Sequence, residues 1–200
     1  EYYQPRYLKD SARIDGVPCK TIGSMAFVTD GIHGSPEEVE EGGVRYLSAK
    51  CVKDNGFALG AALQISDAQH AANPRTSLSI GDVLITTVGT IGNAAVVQPE
   101  ILPANSDRHL GIIRLEKDAG VDPYFLATFL NCEYGRFQSL REATGNVQLN
   151  LFIEKIKTLR IPVLDCAKEV SKDTRKAYAK RREAVAAITA AETLLLSALG

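Results

Sequence analysis

The chain has no window of eighteen apolar residues, no Cys-x-x-Cys pair and no excess of basic charge, and each absence closes off a class of protein. Without a long apolar run, a membrane-spanning helix is not expected. The polar, aromatic opening EYYQPRYLKD does not read as a signal peptide, and none is expected in this stretch. The first residue is Glu1 rather than Met, so a piece of a longer protein is expected. Cys19, Cys51, Cys132 and Cys166 are scattered, which argues against a zinc ribbon or a disulfide framework and for reduced thiols in the cytoplasm.

Charge is close to balanced. Residues 1–164 carry 16 Lys and Arg against 19 Asp and Glu, and residues 165–200 carry 7 against 5. A nucleic-acid-binding domain usually has a basic footprint, so any DNA affinity must come from a local patch or a partner.

Catalytic signatures are missing too. An adenine methyltransferase needs a [DN]PP[YF] loop, but NPRT (Asn73 to Thr76) and DPYF (Asp122 to Phe125) each lack the second proline. No alternating βαβ pattern builds a cofactor fold. No Pro-Asp pair precedes an acid-x-Lys, as a nuclease would require, and no Gly-Lys-Ser/Thr follows Gly89-Thr90-Ile91-Gly92 to make a phosphate loop. His33, His70 and His109 are far apart, and only Asp30…His33 has local ligand spacing, so no metal is expected.

The apolar fraction of 45% is enough for a real core. Residues 1–15 read as a short opening segment with Tyr2, Tyr3, Tyr7 and Leu8 as its apolar contacts. From Val17 to about Leu115, short β-branched runs are broken by Gly, Pro, Asn and Asp, predicting strands near 25–28, 44–48, 83–88, 93–98 and 110–115. Within GDVLITTVGTIGNAAVV (Gly81 to Val97), the glycines read as hairpin and bulge positions needing positive φ. EEVEEGG, residues 37–43, is a solvated acidic loop. ISDAQHAANP predicts a short helix capped by Ser66 or Asp67 and stopped before Pro74.

Helical spacing takes over at Asp122-Pro123, a start signal, with Phe125, Phe129 and Leu130 on one face and a break or kink expected at Gly135. A short helix around 150–157 and a strand-like IPVL follow. The fold class is therefore α+β, with mixed strands first and helices last.

Residues 165–199 contain no Gly or Pro, about 35 residues that would form roughly 50 Å of helix. Val170, Thr174, Ala177, Arg181, Ala184, Ile188, Ala191, Leu195 and Ala198 repeat with 4-3 spacing, the seam of a coiled coil. A terminal helix packed on its own domain would show similar spacing, but one this long would overhang. The expected organisation is a globular part over 1–164 and a spacer or dimerisation helix over 165–200, with Val170, Ala177, Ala184, Ile188, Ala191 and Leu195 facing a partner.

Recognition of DNA calls for Arg, Lys, Asn, Gln, Ser and Thr held at base edges and phosphates. Loops dense in these groups nominate Lys50, Lys53, Asn55, Arg75, Thr87, Thr90, Asn93, Arg108, His109, Arg141, Asn146 and Gln148 as DNA-binding candidates. Singly, each is equally at home in a solvated loop.

Five segments in this order, DGIHGSP (Asp30 to Pro36), RYLSAKCV (Arg45 to Val52), GDVLITTVGTIG (Gly81 to Gly92), YFLATFLNCEYG (Tyr124 to Gly135) and the closing RIPVL (Arg160 to Leu164), resemble the target-recognition domain of a type I restriction–modification specificity subunit. The resemblance spans about Val17 to Leu164 plus the following helix, and makes His33 a candidate recognition residue.

It implies a non-catalytic module that reads one half of a bipartite DNA site. Long helices would set the spacing between the two halves. An adenine-specific methyltransferase partner would flip and methylate its base, with S-adenosylmethionine on that partner and no cofactor in this chain. A motor–nuclease subunit would join to cut, and a second copy or second recognition domain would pair through the helix. Two alternatives stay open. One is the C-terminal recognition domain of a fused methyltransferase or restriction enzyme, which the EYYQPRY opening resembles at its junction. The other is an assembly adaptor with little DNA affinity.

Overall fold

A computed structural model of the chain describes residues 13–199, so the predicted contacts of Tyr2, Tyr3, Tyr7 and Leu8 lie outside the described residues. At the centre is a four-stranded antiparallel sheet in the order β2 (Ala26–Asp30), β10 (Leu110–Leu115), β7 (Val83–Thr86) and β8 (Ala94–Val96). Side chains alternate across a strand, so each of β7 and β8 sends neighbouring residues to opposite faces. Val83, Ile85, Ala94 and Val96 enter one core, while Leu84 and Ala95 enter another. Both faces are covered, which is why these strands read as continuous apolar runs rather than as alternation.

On the first face lie the helices. α2 (Pro123–Asn131) starts at Asp122, whose carboxylate accepts from the Tyr124 backbone N–H at 2.9 Å, as its Asp-Pro signal predicts. Phe125 and Phe129 stack within the core, and Leu126 and Leu130 are fully buried. Burial of that kind contributes about 2 kcal/mol per side chain.

The predicted break at Gly135 falls instead at Cys132, which is extended, and α3 (Glu133–Glu142) runs through Gly135. A Cβ at Gly135 would overlap the Phe129 carbonyl and the Leu130 backbone, so glycine is there for close helix packing, not to end the helix. α4 (Ile153–Thr158) leads into β11 (Arg160–Pro162), which pairs with β1 (Cys19–Thr21).

Against the second face pack β4 (Val52–Lys53) and β5 (Gly56–Phe57), and a smaller sheet in the order β6 (Leu63–Ile65), β3 (Val44–Leu47) and β9 (Ala104–Ser106). β3 pairs antiparallel with β6 and parallel with β9, so the strands are mixed as expected. Between β6 and β7 sits α1 (Asp67–Ala72), capped by Ser66, whose hydroxyl accepts from the Gln69 N–H at 3.0 Å.

The last element, α5 (Ala167–Leu199), is the predicted long helix. Its first half belongs to the globular core: Ala167, Val170 and Tyr178 pack into the helix-side cluster, Ser171 is buried, and the Thr128 and Thr174 hydroxyls lie 2.8 Å apart. Val170 and Thr174 were expected at a partner seam and instead face this domain. From Lys180 onward every described residue is exposed, including Ala184, Ile188, Ala191 and Leu195. The helix projects from Arg181 for roughly 27 Å at the standard rise. Among the described residues, no helix is long and apolar enough to cross a membrane.

Candidate nucleic-acid interface

Five connections meet at one end of the central sheet and enclose an open cleft of about 810 Å³. The end of β2 supplies Asp30 and His33. The turn after β3 supplies Ser48 and Lys50, and the turn after β7 supplies Thr87 and Gly89. The approach to β10 supplies Asp107, Arg108 and His109, and the segment before α4 supplies Gln148, Asn150 and Phe152.

Main-chain bonds hold these connections in place. Ile32 N–H donates to Ser106 O at 2.7 Å, Asp107 N–H to Leu47 O at 2.9 Å, Thr87 N–H to His109 O at 3.0 Å, and Leu151 N–H to Thr87 O at 2.9 Å. Gly89 and Gly92 take positive φ in the turn between β7 and β8, as the sequence pattern requires.

The cleft contains both signs of charge, unequally occupied. Asp30 hydrogen-bonds the His33 ring and receives Arg75 Nη1 at its backbone oxygen (3.1 Å) and its carboxylate (3.4 Å). Asp107 accepts from the His109 backbone N–H at 2.9 Å and lies 3.2 Å from His109 Nδ1. Both carboxylates are thereby committed within the protein. Lys50 and Arg108 are exposed at the mouth, and neither makes an ion pair with a described residue. Beneath them, Tyr46 is pushed up to about 12, by burial first and by the Asp107 carboxylate second, with Arg108 opposing. It stays a neutral phenol.

The structure brings Lys50, Thr87, Arg108, His109 and Gln148 to the cleft wall, with Arg75 behind Asp30 and Asn146 two residues before Gln148. Thr90 is exposed on the same turn as Gly89. Thr87 lines the wall although it is nearly buried.

Four other candidates lie elsewhere. Asn93 is 8% exposed: its carbonyl accepts from Arg136 Nη1 at 3.0 Å and its amide faces Val52 O, so it is corrected to an internal tie between β8 and α3. Asn55, at φ +49° in the turn between β4 and β5, accepts Arg181 Nη1 on its backbone oxygen at 2.6 Å. It belongs to the joint with α5, whereas its neighbour Asp54 pairs with Arg136 of α3 at 2.5 Å. Lys53 is exposed on that same hairpin, and Arg141 is half-buried on α3.

Sequence reading missed Phe152 as a cleft residue. It also missed the edge of β8, where Asn131 exchanges hydrogen bonds with Ala94 (2.7 and 2.9 Å) and Tyr178 receives the Val96 N–H.

A second, larger groove of about 1050 Å³ runs between α2, the end of β11 and the start of α5. Phe125, Val163 and Leu164 line it, with Lys117, Lys168 and Lys172 at its rim. None of the predicted DNA-binding residues lies in it. Among the described residues, no group of three His, Cys, Asp or Glu is arranged to hold a metal ion.

No family model and no curated protein matches the sequence. Solved structures do match. The S subunit of a type I restriction–modification system from M. genitalium superposes with a TM-score of 0.58 at 16% identity, over 85% of this chain and 41% of that one. The HsdS subunit from Thermoanaerobacter tengcongensis gives 0.56 at 14% identity, over 92% and 45%. A structure describing complex assembly and conformational transition of the type I R-M system gives 0.55 at 15%, over 93% and 46%. The chain spans less than half the length of each. It therefore has the α+β fold found in one half of type I restriction–modification S subunits.

Proposed function

We propose that this chain is a sequence-specific DNA-recognition module of a restriction–modification system, reading one half of a bipartite site and directing adenine methylation and cleavage by partner subunits. The observation that carries this reading is the fold, shared with type I S subunits across most of the chain. The cleft supports it independently. Lys50 and Arg108 are exposed cations with no ion-pair partner among the described residues, suited to phosphates, and Gln148 and Asn150 offer amide groups suited to base edges.

In this role the chain needs no chemistry of its own. S-adenosylmethionine would bind the methyltransferase partner, and a motor–nuclease subunit would complete the complex. Such a complex would act in the cytoplasm. The projecting part of α5 carries exposed Ile188 and Leu195 on one seam, which supports pairing with a second copy of this helix or with a second recognition domain.

Methylation-sensitive sequencing tests the reading, applied to cells carrying the whole locus with and without the coding sequence of this chain. The expected result is loss of one bipartite methyladenine motif. An unchanged methylome in cells with active methyltransferase would reject it.

A further inference from the structure

Val147 is an aliphatic residue held fully in water: its exposure is 103%. It sits at the tip of residues 145–149, a loop that is closed rather than slack. Thr144 and Asn150 exchange both main-chain hydrogen bonds, at 3.0 and 2.8 Å, and Asn150 also bridges to Val88 beside the β7 turn. Gly145 takes φ +142°, and a Cβ there would overlap the Gln148 carbonyl, so the turn folds tightly on itself. Leu151 N–H, on Thr87 O, ties the base of the loop to the sheet. The fold thus spends ordered backbone on presenting a branched apolar side chain to solvent, where burial gives nothing back.

The surroundings say what it meets. Gln148, next to Val147, and Asn150 stand on the wall of the cleft, whose mouth carries the exposed cations Lys50 and Arg108. A surface that combines exposed cations, amide groups and an aliphatic tip on a closed loop complements the major groove of duplex DNA. There the phosphates take the cations, and adenine N6 and N7 match an amide. The apolar feature on a base edge is the thymine 5-methyl group. Asn146 and Gln148 flank Val147 and offer the amides for the adenine of the same pair.

We infer that Val147 is a specificity-determining residue that reads one A·T pair by contact with the thymine methyl. This rests on the DNA-recognition reading above.

The test begins by selecting bound duplexes from a randomised library with the full chain. Each thymine of the selected duplex is then replaced, one at a time, by deoxyuridine, which lacks only the methyl. Binding is followed by fluorescence anisotropy for the natural chain and for Val147→Ala, a change at a fully exposed position that leaves the core alone. At one thymine, the natural chain should bind the uracil duplex about three- to fivefold more weakly, the worth of a buried methyl. Val147→Ala should bind both duplexes equally, at the weaker level, with an unchanged salt slope. If no uracil position matters to the natural chain, or if Val147→Ala still tells thymine from uracil, the assignment to Val147 is wrong while DNA recognition stands. A Val147→Ala chain that binds all duplexes normally but no longer supports methylation in cells would mark the tip as a protein contact and equally overturn it. If no duplex is enriched, the DNA-recognition reading itself fails.

Discussion

The Tyr178 hydroxyl accepts a hydrogen bond from the backbone N–H of Val96 at 3.0 Å, so a helix residue takes the place of the strand that β8 lacks on its open side. Two residues along, the Asn131 side chain pairs with both main-chain groups of Ala94. An unpaired sheet edge is a template for aggregation, and here side chains from α2 and α5 close it. Tyr124 meets Tyr178 edge-on with ring centres 5.3 Å apart, and the Arg175 guanidinium lies 4.3 Å over the Tyr124 ring. With Arg181 held by Asn55 O, these contacts fix the direction in which the rest of α5 leaves the domain.

Tyr178→Phe should therefore lower stability by about 1–2 kcal/mol, because it leaves a buried N–H without a partner. It should also change the alkaline limb of stability. Burial, the largest cause, pushes Tyr178 up to about 12 from an ordinary value of 10, and Tyr46 is raised likewise. The folded state then holds these protons more tightly than the unfolded chain. Their contribution is complete below pH 10 and is lost as pH rises from 10 to 12. Denaturant unfolding at pH 8 and pH 11 should show a smaller drop for Tyr178→Phe than for the natural chain. An equal drop would mean that Tyr178 ionises as freely in the folded protein as in water.

A second support is the fork between Arg114 and Asp82. Arg114 Nε and Nη2 reach the two carboxylate oxygens at 2.9 and 2.7 Å, and Nη2 also donates to Ser77 O at 3.0 Å. The Asp82 side chain is 2% exposed and caps the Ser79 N–H. The hydrogen bond to Asp82 raises the Arg114 pKa, so the guanidinium stays charged. Arg114→Ala would strand a buried carboxylate next to β7, and a loss of about 3 kcal/mol is expected in thermal or denaturant unfolding. Arg114→Lys, which cannot fork, should recover only part of it. A loss below about 1 kcal/mol would show that water reaches Asp82 freely.

Which parts of this were legible in the sequence follows from range. β10 lies at residues 110–115, as expected, because its apolar and β-branched residues carry the signal within one window. The caps at Ser66 and Asp122 are equally local. β1, β4, β5, β6 and β9 escaped because two or three residues are too short to show a period, and their pairing is set by distant strands. Asn93 misled for the same reason: a polar residue beside a glycine turn reads as exposed, yet Arg136, 43 positions away, draws it inside. The 4-3 spacing of α5 identified its apolar seam, but a seam does not say whether its partner is the same domain or another chain. Val170 takes the first answer. The cleft residues were nominated as polar loop residues without any way to tell Lys50 from Lys53. Only the folding of five loops to one end of the sheet separates them.

That separation is measurable. If phosphates bind at the cleft mouth, replacing Lys50 and Arg108 together by Glu should weaken DNA binding strongly. It should also reduce the slope of log affinity against log salt by about two. Lys53→Glu, on the hairpin that holds α5, should change that slope by less than about one. Titrating the variants at several salt concentrations decides between them. Equal effects would move the DNA face towards the hairpin.

The projecting half of α5 makes the last distinction. Ile188 and Leu195 are 60% and 64% exposed and seven residues apart, whereas Val170 is packed into the helix-side core. Lys at both Ile188 and Leu195 should yield monomers in sedimentation velocity without altering the thermal unfolding of the domain, since neither side chain touches it. Val170→Lys should do the reverse, destabilising the domain through a charge forced against apolar neighbours. The two variants report on different halves of one seam. If the double variant sediments as the natural chain does, Ile188 and Leu195 are not a self-pairing seam. The stretch beyond Arg181 would then need a different partner chain to cover it.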